Sequence, residues 1–119
     1  MTDFDAHGYE DLRTYLVSAD GWSHVALLDD AGDEVTRIDI HNDDRASWGD
    51  PSANPVTLAV AITGGDADIP TPTEFSGSSL HTSEASSPAH EDEFEGANVI
   101  IDEHDQLDLE HMVELPEVA

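Results

Sequence analysis

The sequence predicts a mainly β protein: a small antiparallel β-sandwich or barrel with one short N-terminal helix, as a single domain over residues 1–119. Two observations predict it. Side chains in 107-LDLEHMVEL-115 alternate between a nearly all-apolar face and a nearly all-acidic face, and a period of two indicates a half-buried strand. Long helical patterns do not separate the strand-like segments, so we expect the strands to pair antiparallel.

The first half of the chain contains a helix, a hairpin and a loop in that order. Residues 8–18 predict a short helix, since their apolar side chains share one stripe at helical spacing: Tyr9, Leu12, Tyr15 and Leu16. Residues 22–29 and 34–40 are rich in β-forming residues and flank a short Gly-containing connection, which predicts a hairpin. Residues 41–55 are dense in turn-forming residues and predict a long polar loop.

The second half begins with its most apolar segment. Residues 56–64 are apolar on both faces, which predicts a central strand that is covered on both sides or buried in an interface. Residues 75–84 are small and compatible with a strand, and 85–96 predict a second long polar loop. The chain then ends in two strand-like segments, 97–103 and 106–116, which we expect to form a second hairpin.

The charge of the chain is extreme. Among 119 residues there are 28 Asp and Glu, three Arg and no Lys, for a formal net charge of -25. Such a chain is either an intrinsically disordered acidic segment or a folded domain adapted to multimolar salt, where charge repulsion is screened. Because 38% of the residues are hydrophobic and fall into patterned runs, the sequence favours the folded, halophilic domain.

The composition also bears on partners and location. Binding to nucleic acid or to an anionic membrane needs a cationic patch, so neither partner is expected of a chain with three scattered Arg. Without Cys, disulfides and thiolate metal sites are excluded. The acidic start and the lack of an apolar run near 18 residues predict neither a signal peptide nor a membrane span.

Metal sites have only weak candidates in the sequence. Imidazole lies beside carboxylate in two segments, and the candidate ligands are His90, Glu91, Asp102, His104 and Asp105. Their spacing matches neither an H-E-x-x-H helix nor an EF-hand loop, and so many acids produce such neighbours by chance. The expectation is therefore no specific metal or cofactor, with loosely bound monovalent or divalent cations instead.

No catalytic motif is complete, and we expect a protein that is not an enzyme. Gly77-Ser78-Ser79 lacks the G-x-S-x-G pattern of a nucleophile elbow. His24 and His111 lie in strand-like segments without an identifiable nucleophile nearby in the sequence, and we interpret them as half-buried, hydrogen-bonded histidines.

Two features indicate a contact with a partner subunit. Trp48 lies in an otherwise polar loop, and an exposed Trp often anchors an interface. The apolar 56–64 strand offers Leu58, Val60 and Ile62 for an intersubunit face. These four residues are the candidate interface.

Five segments carry a resemblance to a known group of proteins. They are, in order, 11-DLRTYL-16, 22-WSHVALLD-29, 56-VTLAVAITG-64, 75-FSGSSLH-81 and 107-LDLEHMVELP-116. Their pattern and order resemble small structural proteins of tailed viruses of haloarchaea, which are tail-fibre-like, baseplate-like or capsid-associated components.

The resemblance implies a virion structural protein, either a capsid decoration or turret or a tail component. It would be made in the cytoplasm of a haloarchaeal host, assemble as a homo-oligomer with other virion proteins, and reside in the virion. The alternative is a cellular halophilic β-domain that binds a protein or a small ligand as a monomer.

Overall fold

The computed structural model describes residues 6–18, 21–51, 53, 55–83 and 87–114, although for 6–10 and 95–97 only the backbone. This part of the chain forms one helix and seven strands, and the mainly β fold class is confirmed. The elements are α1 Ala6–Leu16, β1 His24–Asp29, β2 Glu34–Asp39, β3 Ala46–Trp48, β4 Val56–Thr63, β5 Thr73–His81, β6 His90–Ile100 and β7 Gln106–Val113.

The strands form two antiparallel sheets that pack as a sandwich and do not close into a barrel. The four-stranded sheet has the order β2-β1-β5-β6, and the three-stranded sheet has the order β3-β4-β7. Each sheet therefore has two edge strands. The chain crosses between the sheets after β2, after β4 and after β6.

The predicted first hairpin is confirmed. β1 and β2 pair antiparallel, with Val25 opposite Ile38. The connection is shaped by Asp29, whose carboxylate accepts hydrogen bonds from the amides of Ala31 and Asp33 at 3.0 and 2.9 Å. Gly32 has φ +82°, a left-handed conformation that glycine adopts without the steric cost of a Cβ.

The core lies between the sheets and receives apolar side chains from all seven strands. Alternation is visible on β7, where Leu109, His111 and Val113 are buried and the residues between them are exposed. On β4 the buried face is apolar, but Ala59 and Ala61 on the other face are exposed. The prediction of a central strand is thus confirmed for β4, but within one chain only one of its faces is covered; burial of the other face in an interface stays a prediction.

Helix α1 packs through only part of the apolar stripe that its sequence predicts. Leu12 and Tyr15 of the predicted apolar stripe are exposed, and Leu16 contacts the core. Arg13 is buried, and its Nε donates a hydrogen bond to the carbonyl of Pro51 at 2.7 Å. The helix is therefore fixed partly by a polar contact with the segment that follows β3, which helical periodicity does not reveal.

Both long loops contain strand residues. Residues 41–55 include β3, which pairs with β4 through Ser47 and Ala59, and the loop predicted over 85–96 includes the start of β6. Polar strands of this kind are stabilised by the ladder of a neighbouring strand that is distant in sequence, so local composition hides them. Residues 84–86 lie outside the described residues.

The expected second hairpin is also wrong. β6 and β7 follow each other across a short turn, but β6 pairs with β5 and β7 pairs with β4. Each strand has an apolar face directed into the core from a different sheet, and burial of both faces requires the turn to cross between the sheets. The end of the predicted strand, residues 115–116, lies outside the described residues.

Candidate functional site

A chain of polar side chains connects the two sheets inside the sandwich. Ser78 on β5 has its Oγ 2.5 Å from Nδ1 of His111 on β7. The other ring nitrogen of His111, Nε2, lies 2.8 Å from Nδ1 of His90 on β6. The His90 ring in turn stacks on the indole of Trp22, with centroids 5.6 Å apart. We call Ser78, His111 and His90 the polar bridge.

Burial controls the charge of this bridge. Ser78 and His111 are each 1% exposed, whereas His90 is half-buried. Desolvation and, to a smaller extent, charge repulsion from His90 lower the pKa of His111, attraction by the Asp92 carboxylate raises it, and the net pKa is about 4. His111 is therefore neutral at neutral pH, and each of its ring nitrogens has a hydrogen-bonding partner.

The bridge has the connectivity that activates a hydroxyl nucleophile, namely a Ser bonded to a His that a third group orients. However, the Ser78 hydroxyl is enclosed between the sheets at 1% exposure, where this conformation gives a substrate no access. The interpretation of His111 as a hydrogen-bonded histidine agrees with this environment. His24 is likewise bonded, through Nδ1, to the Ser23 hydroxyl at 2.8 Å.

Sequence reasoning considered Ser78 and His111 separately and did not place them together. They are 33 residues apart and belong to different sheets. The available signal was the position of His111 on the apolar face of an alternating strand, because a buried imidazole needs a polar partner. That signal does not identify the partner.

A second polar cluster surrounds Arg45, which precedes β3. Its guanidinium contacts the carboxylates of Asp43 at 2.7 Å, Asp66 at 3.3 Å and Asp68 at 2.7 Å. Asp68 also accepts a hydrogen bond from the Thr36 hydroxyl of β2 at 2.6 Å. This Arg45 cluster connects β2, the start of β3 and the β4–β5 connection, and its geometry is that of a structural ion-pair network.

The electrostatics agree with a structural role. Hydrogen bonds from Arg45 are the largest cause that lowers the pKa of Asp68, to about 2. The three carboxylates raise the pKa of Arg45 above its ordinary value, so the guanidinium stays charged. The sequence offered one signal here: a chain with three Arg and 28 acids is expected to pair each Arg, but the partners depend on the fold.

Arg45→Met is expected to lower the free energy of unfolding by about 2 kcal/mol, because it leaves three carboxylates close together without their cation. The loss is smaller than for a fully buried pair since the Arg45 side chain keeps 24% of its surface exposed. Urea unfolding of the wild type and of Arg45→Met in the same concentrated salt measures this loss of unfolding free energy.

Arg37→Met is the matched control, since Arg37 forms an ion pair at 2.6 Å with Glu34, whose side chain is 41% exposed, and we expect a loss below about 1 kcal/mol. The pH dependence has a defined sign. The folded pKa of Asp68 is lowered from 3.8 to about 2, so its contribution is present above 3.8 and disappears as the pH falls towards 2. The difference in unfolding free energy between the wild type and Arg45→Met should therefore decrease over that pH range. A constant difference would contradict the ion pair between Arg45 and Asp68 as its cause.

A cleft lies between the edge strands β6 and β7, beside the polar bridge. Phe94, Leu109 and Met112 contribute apolar surface to it. The rest of the lining is polar and mostly acidic: Asp92, Glu93, Asn98, Asp108 and Glu110. On this side, the Asp92 carboxylate accepts a hydrogen bond from the Met112 amide at 3.0 Å, which joins the two edges.

The candidate interface residues from the sequence are placed in two environments. Leu58, Val60 and Ile62 are buried in the core of the same chain, at 2% exposure or less. This corrects the expectation that their side chains face a partner subunit. Trp48 is half-buried against the core, and its indole Nε1 is buried with no hydrogen-bond partner among the described residues. A contact between Trp48 and a partner stays a prediction.

The candidate metal ligands lie at the two ends of β6. His90 and Glu91 begin the strand, whereas Asp102, His104 and Asp105 form the turn beyond its end. Asp105 accepts hydrogen bonds from two amides of that turn, which lowers its pKa. Within the described residues, no group of three or more His, Asp or Glu side chains is arranged to hold a metal ion.

Comparisons with protein-family models, with curated proteins and with solved structures find no match for this chain. In the part of the chain that the structure describes, no helix has both the length and the apolar character required to span a bilayer.

Proposed function

We propose that the chain is a non-enzymatic structural protein of a haloarchaeal virus particle, a capsid decoration or a tail component that assembles with copies of itself and with other virion proteins. The observation that carries the assembly role is a pair of exposed apolar side chains at an edge of the sandwich. Val99, near the end of edge strand β6, and Ile101, directly after that strand, are 40% and 66% exposed.

These two residues are spaced for a common surface. Side chains two positions apart in an extended chain point to the same side, so Val99 and Ile101 can be covered together. Exposed aliphatic residues on an otherwise acidic chain lower the free energy of association when a partner removes them from water. An edge strand also presents backbone groups for pairing with another chain.

The proposal is supported by the enclosed Ser78 hydroxyl, which favours a structural role for the polar bridge. It is also supported by the order of elements behind the resemblance to viral structural proteins: the helix, the 22–29 strand, the apolar 56–64 strand and the acidic last strand occur in the sequence in that order. A net charge of -25 fits a protein that folds and assembles in concentrated salt.

Ile101→Asp is expected to shift the protein from oligomer to monomer in about 3 M potassium chloride, because a charge at the centre of the apolar contact must be desolvated on association. Light scattering coupled to gel filtration gives the mass of each species. Leu12→Asp is the matched control, since Leu12 is also exposed but lies on helix α1 and not beside Val99. A wild-type monomer at all concentrations would contradict the assembly role.

The virion assignment has its own test. Mass spectrometry of the purified haloarchaeal virus particles should detect the chain at a fixed stoichiometry to the major capsid protein. Electron microscopy of the same particles should show density for it. Absence of the chain from the particles would contradict the virion role and leave the oligomer result standing.

The second candidate is a cellular salt-adapted β-domain that binds a protein or a small ligand as a monomer. The cleft between β6 and β7 favours it, because apolar side chains there are flanked by polar groups that can orient a ligand. A monomeric wild-type protein whose Phe94 or Met112 substitutions abolish capture of one defined ligand would support this candidate over the virion protein.

A further inference from the structure

The polar bridge joins the two sheets at a side of the sandwich where the described strands have no shared backbone ladder. Ser78 and His90 belong to the four-stranded sheet, and His111 belongs to the three-stranded sheet. β6 and β7 are edge strands of different sheets, so side chains connect them. The contacts are the His90–His111 bond at 2.8 Å and the bond from the Met112 amide to Asp92 at 3.0 Å.

With both rings neutral, the bridge has two complete hydrogen-bonding arrangements. In the first, the Ser78 hydroxyl donates to Nδ1 of His111, whose Nε2–H donates to Nδ1 of His90. In the second, Nδ1–H of His90 donates to Nε2 of His111, whose Nδ1–H donates to the Ser78 oxygen. Either arrangement satisfies the buried polar atoms that face each other.

One added proton is compatible with the bridge. In the second arrangement, Nε2 of His90 does not face His111, so a proton bound there does not interrupt the contact between the rings. The His90 ring then carries a positive charge beside Trp22, a contact that an indole face favours. The bond between the two rings is unchanged.

A second proton is not compatible with the hydrogen bonds of the bridge. It must enter His111, and both nitrogens of the 2.8 Å contact then carry hydrogen, so neither accepts. Two positive rings with centroids 5.0 Å apart also repel each other in a buried environment. The rings must separate, and the contact between β6 and β7 separates with them.

The groups around His111 determine how readily this ring is protonated. From β6, His90 opposes its protonation and Asp92 favours it. From β5, Ser78 does not titrate in this range, and Trp22 covers His90 without a charge. Separation of the rings therefore requires a pH low enough to protonate a buried imidazole that lies beside a second charged ring.

We propose that His90 and His111 form a proton-operated latch between the two sheets. The β6–β7 edge stays closed while at most one of the rings is charged, and protonation of the second ring opens it. The latch is independent of the virion role, because it follows from contacts within one chain.

The test uses a Trp48→Phe protein, so that Trp22 is the one remaining Trp of the sequence, in concentrated salt. A charged imidazole in contact with indole quenches its emission, so Trp22 fluorescence reports the charge of His90. We expect the edge to stay closed while His90 alone is charged and to open when both rings are charged. Hydrogen exchange at the Met112 amide, corrected for its intrinsic pH dependence, measures the opening.

Between about pH 6 and about pH 4 the exchange protection of Met112 should fall on the order of tenfold or more in the wild-type background. His111→Gln cannot accept the second proton, so protection should stay within about twofold. His90→Gln should also stay closed, because its amide oxygen accepts the hydrogen bond that a charged His111 donates. His104→Gln, at a ring with an 86% exposed side chain, is the matched control and should open as the wild type does.

Carboxylate titration is the competing cause of acid opening, since Asp92 itself binds the Met112 amide. If both bridge variants lose protection at the same pH as the wild type, carboxylates open the edge and the latch is wrong. A single step in which Trp22 quenching and opening coincide would also overturn it. Far-ultraviolet circular dichroism at neutral pH establishes that each variant is folded before titration.

Discussion

Transfer of the folded protein from about 3 M to about 0.1 M potassium chloride is expected to remove most of its β-sheet circular dichroism. Of the charged residues, 28 are acidic and three are Arg. Arg37 and Arg45 pair with carboxylates of the same chain, and Arg13 binds a backbone carbonyl. The remaining carboxylates repel one another.

Screening determines the size of this effect. At about 0.1 M salt the screening length is about 10 Å, which exceeds the spacing of about 4.8 Å between neighbouring strands, whereas at about 1 M it is about 3 Å and falls below that spacing. The sandwich has to bury its apolar faces against the repulsion of a chain with net charge -25, and a domain of this size has a modest core. In dilute salt we expect repulsion to exceed the stabilisation from burial.

A non-ionic solute separates charge screening from general effects on hydration. Sucrose at matched water activity strengthens burial but does not screen charge, so it should restore only part of the β signal at low salt. Full β structure in about 0.1 M salt would show that the acid coat does not limit folding. An expanded chain without β signal in concentrated potassium chloride would contradict the folded domain itself.

Gly64→Ala is expected to cost about 3 kcal/mol of unfolding free energy or more, because an added methyl group has no space. Gly64 directly follows β4, and a Cβ at this position would overlap the carbonyl oxygen of Asp102 in the turn after β6. The amide of Gly64 donates a hydrogen bond to the Asp105 carbonyl at 2.9 Å. Two turns that cross between the sheets thus touch at a residue without a side chain, and the methyl group would separate them.

Gly65→Ala is the control in the next position. Its Cβ would lie 3.5 Å from the carbonyl oxygen of Glu103, an ordinary contact, so we expect a change within about 0.5 kcal/mol. Thermal and urea unfolding in the same salt measure both variants. Equal losses of unfolding free energy in the two variants would mean that the conformational freedom of the two glycines determines stability here. The close approach of the two turns would then not be the cause.

The sequence alone was sufficient for features that neighbouring residues encode together. Alternation on β7 predicted which of its side chains are buried, and the turn residues between β1 and β2 predicted their hairpin. It also predicted that β4 is the central strand of its sheet. Each of these depends on local stereochemistry, which a short window of sequence contains.

The tertiary structure alone decided which strands pair and which polar groups meet. β6 and β7 have the sequence of a hairpin, yet they lie in different sheets; Ser78 meets His111 and Arg45 meets Asp68 across long separations in the chain. Such contacts depend on how all apolar faces are buried at once. No single segment contains that information, because the free energy that selects one pairing over another belongs to the whole core.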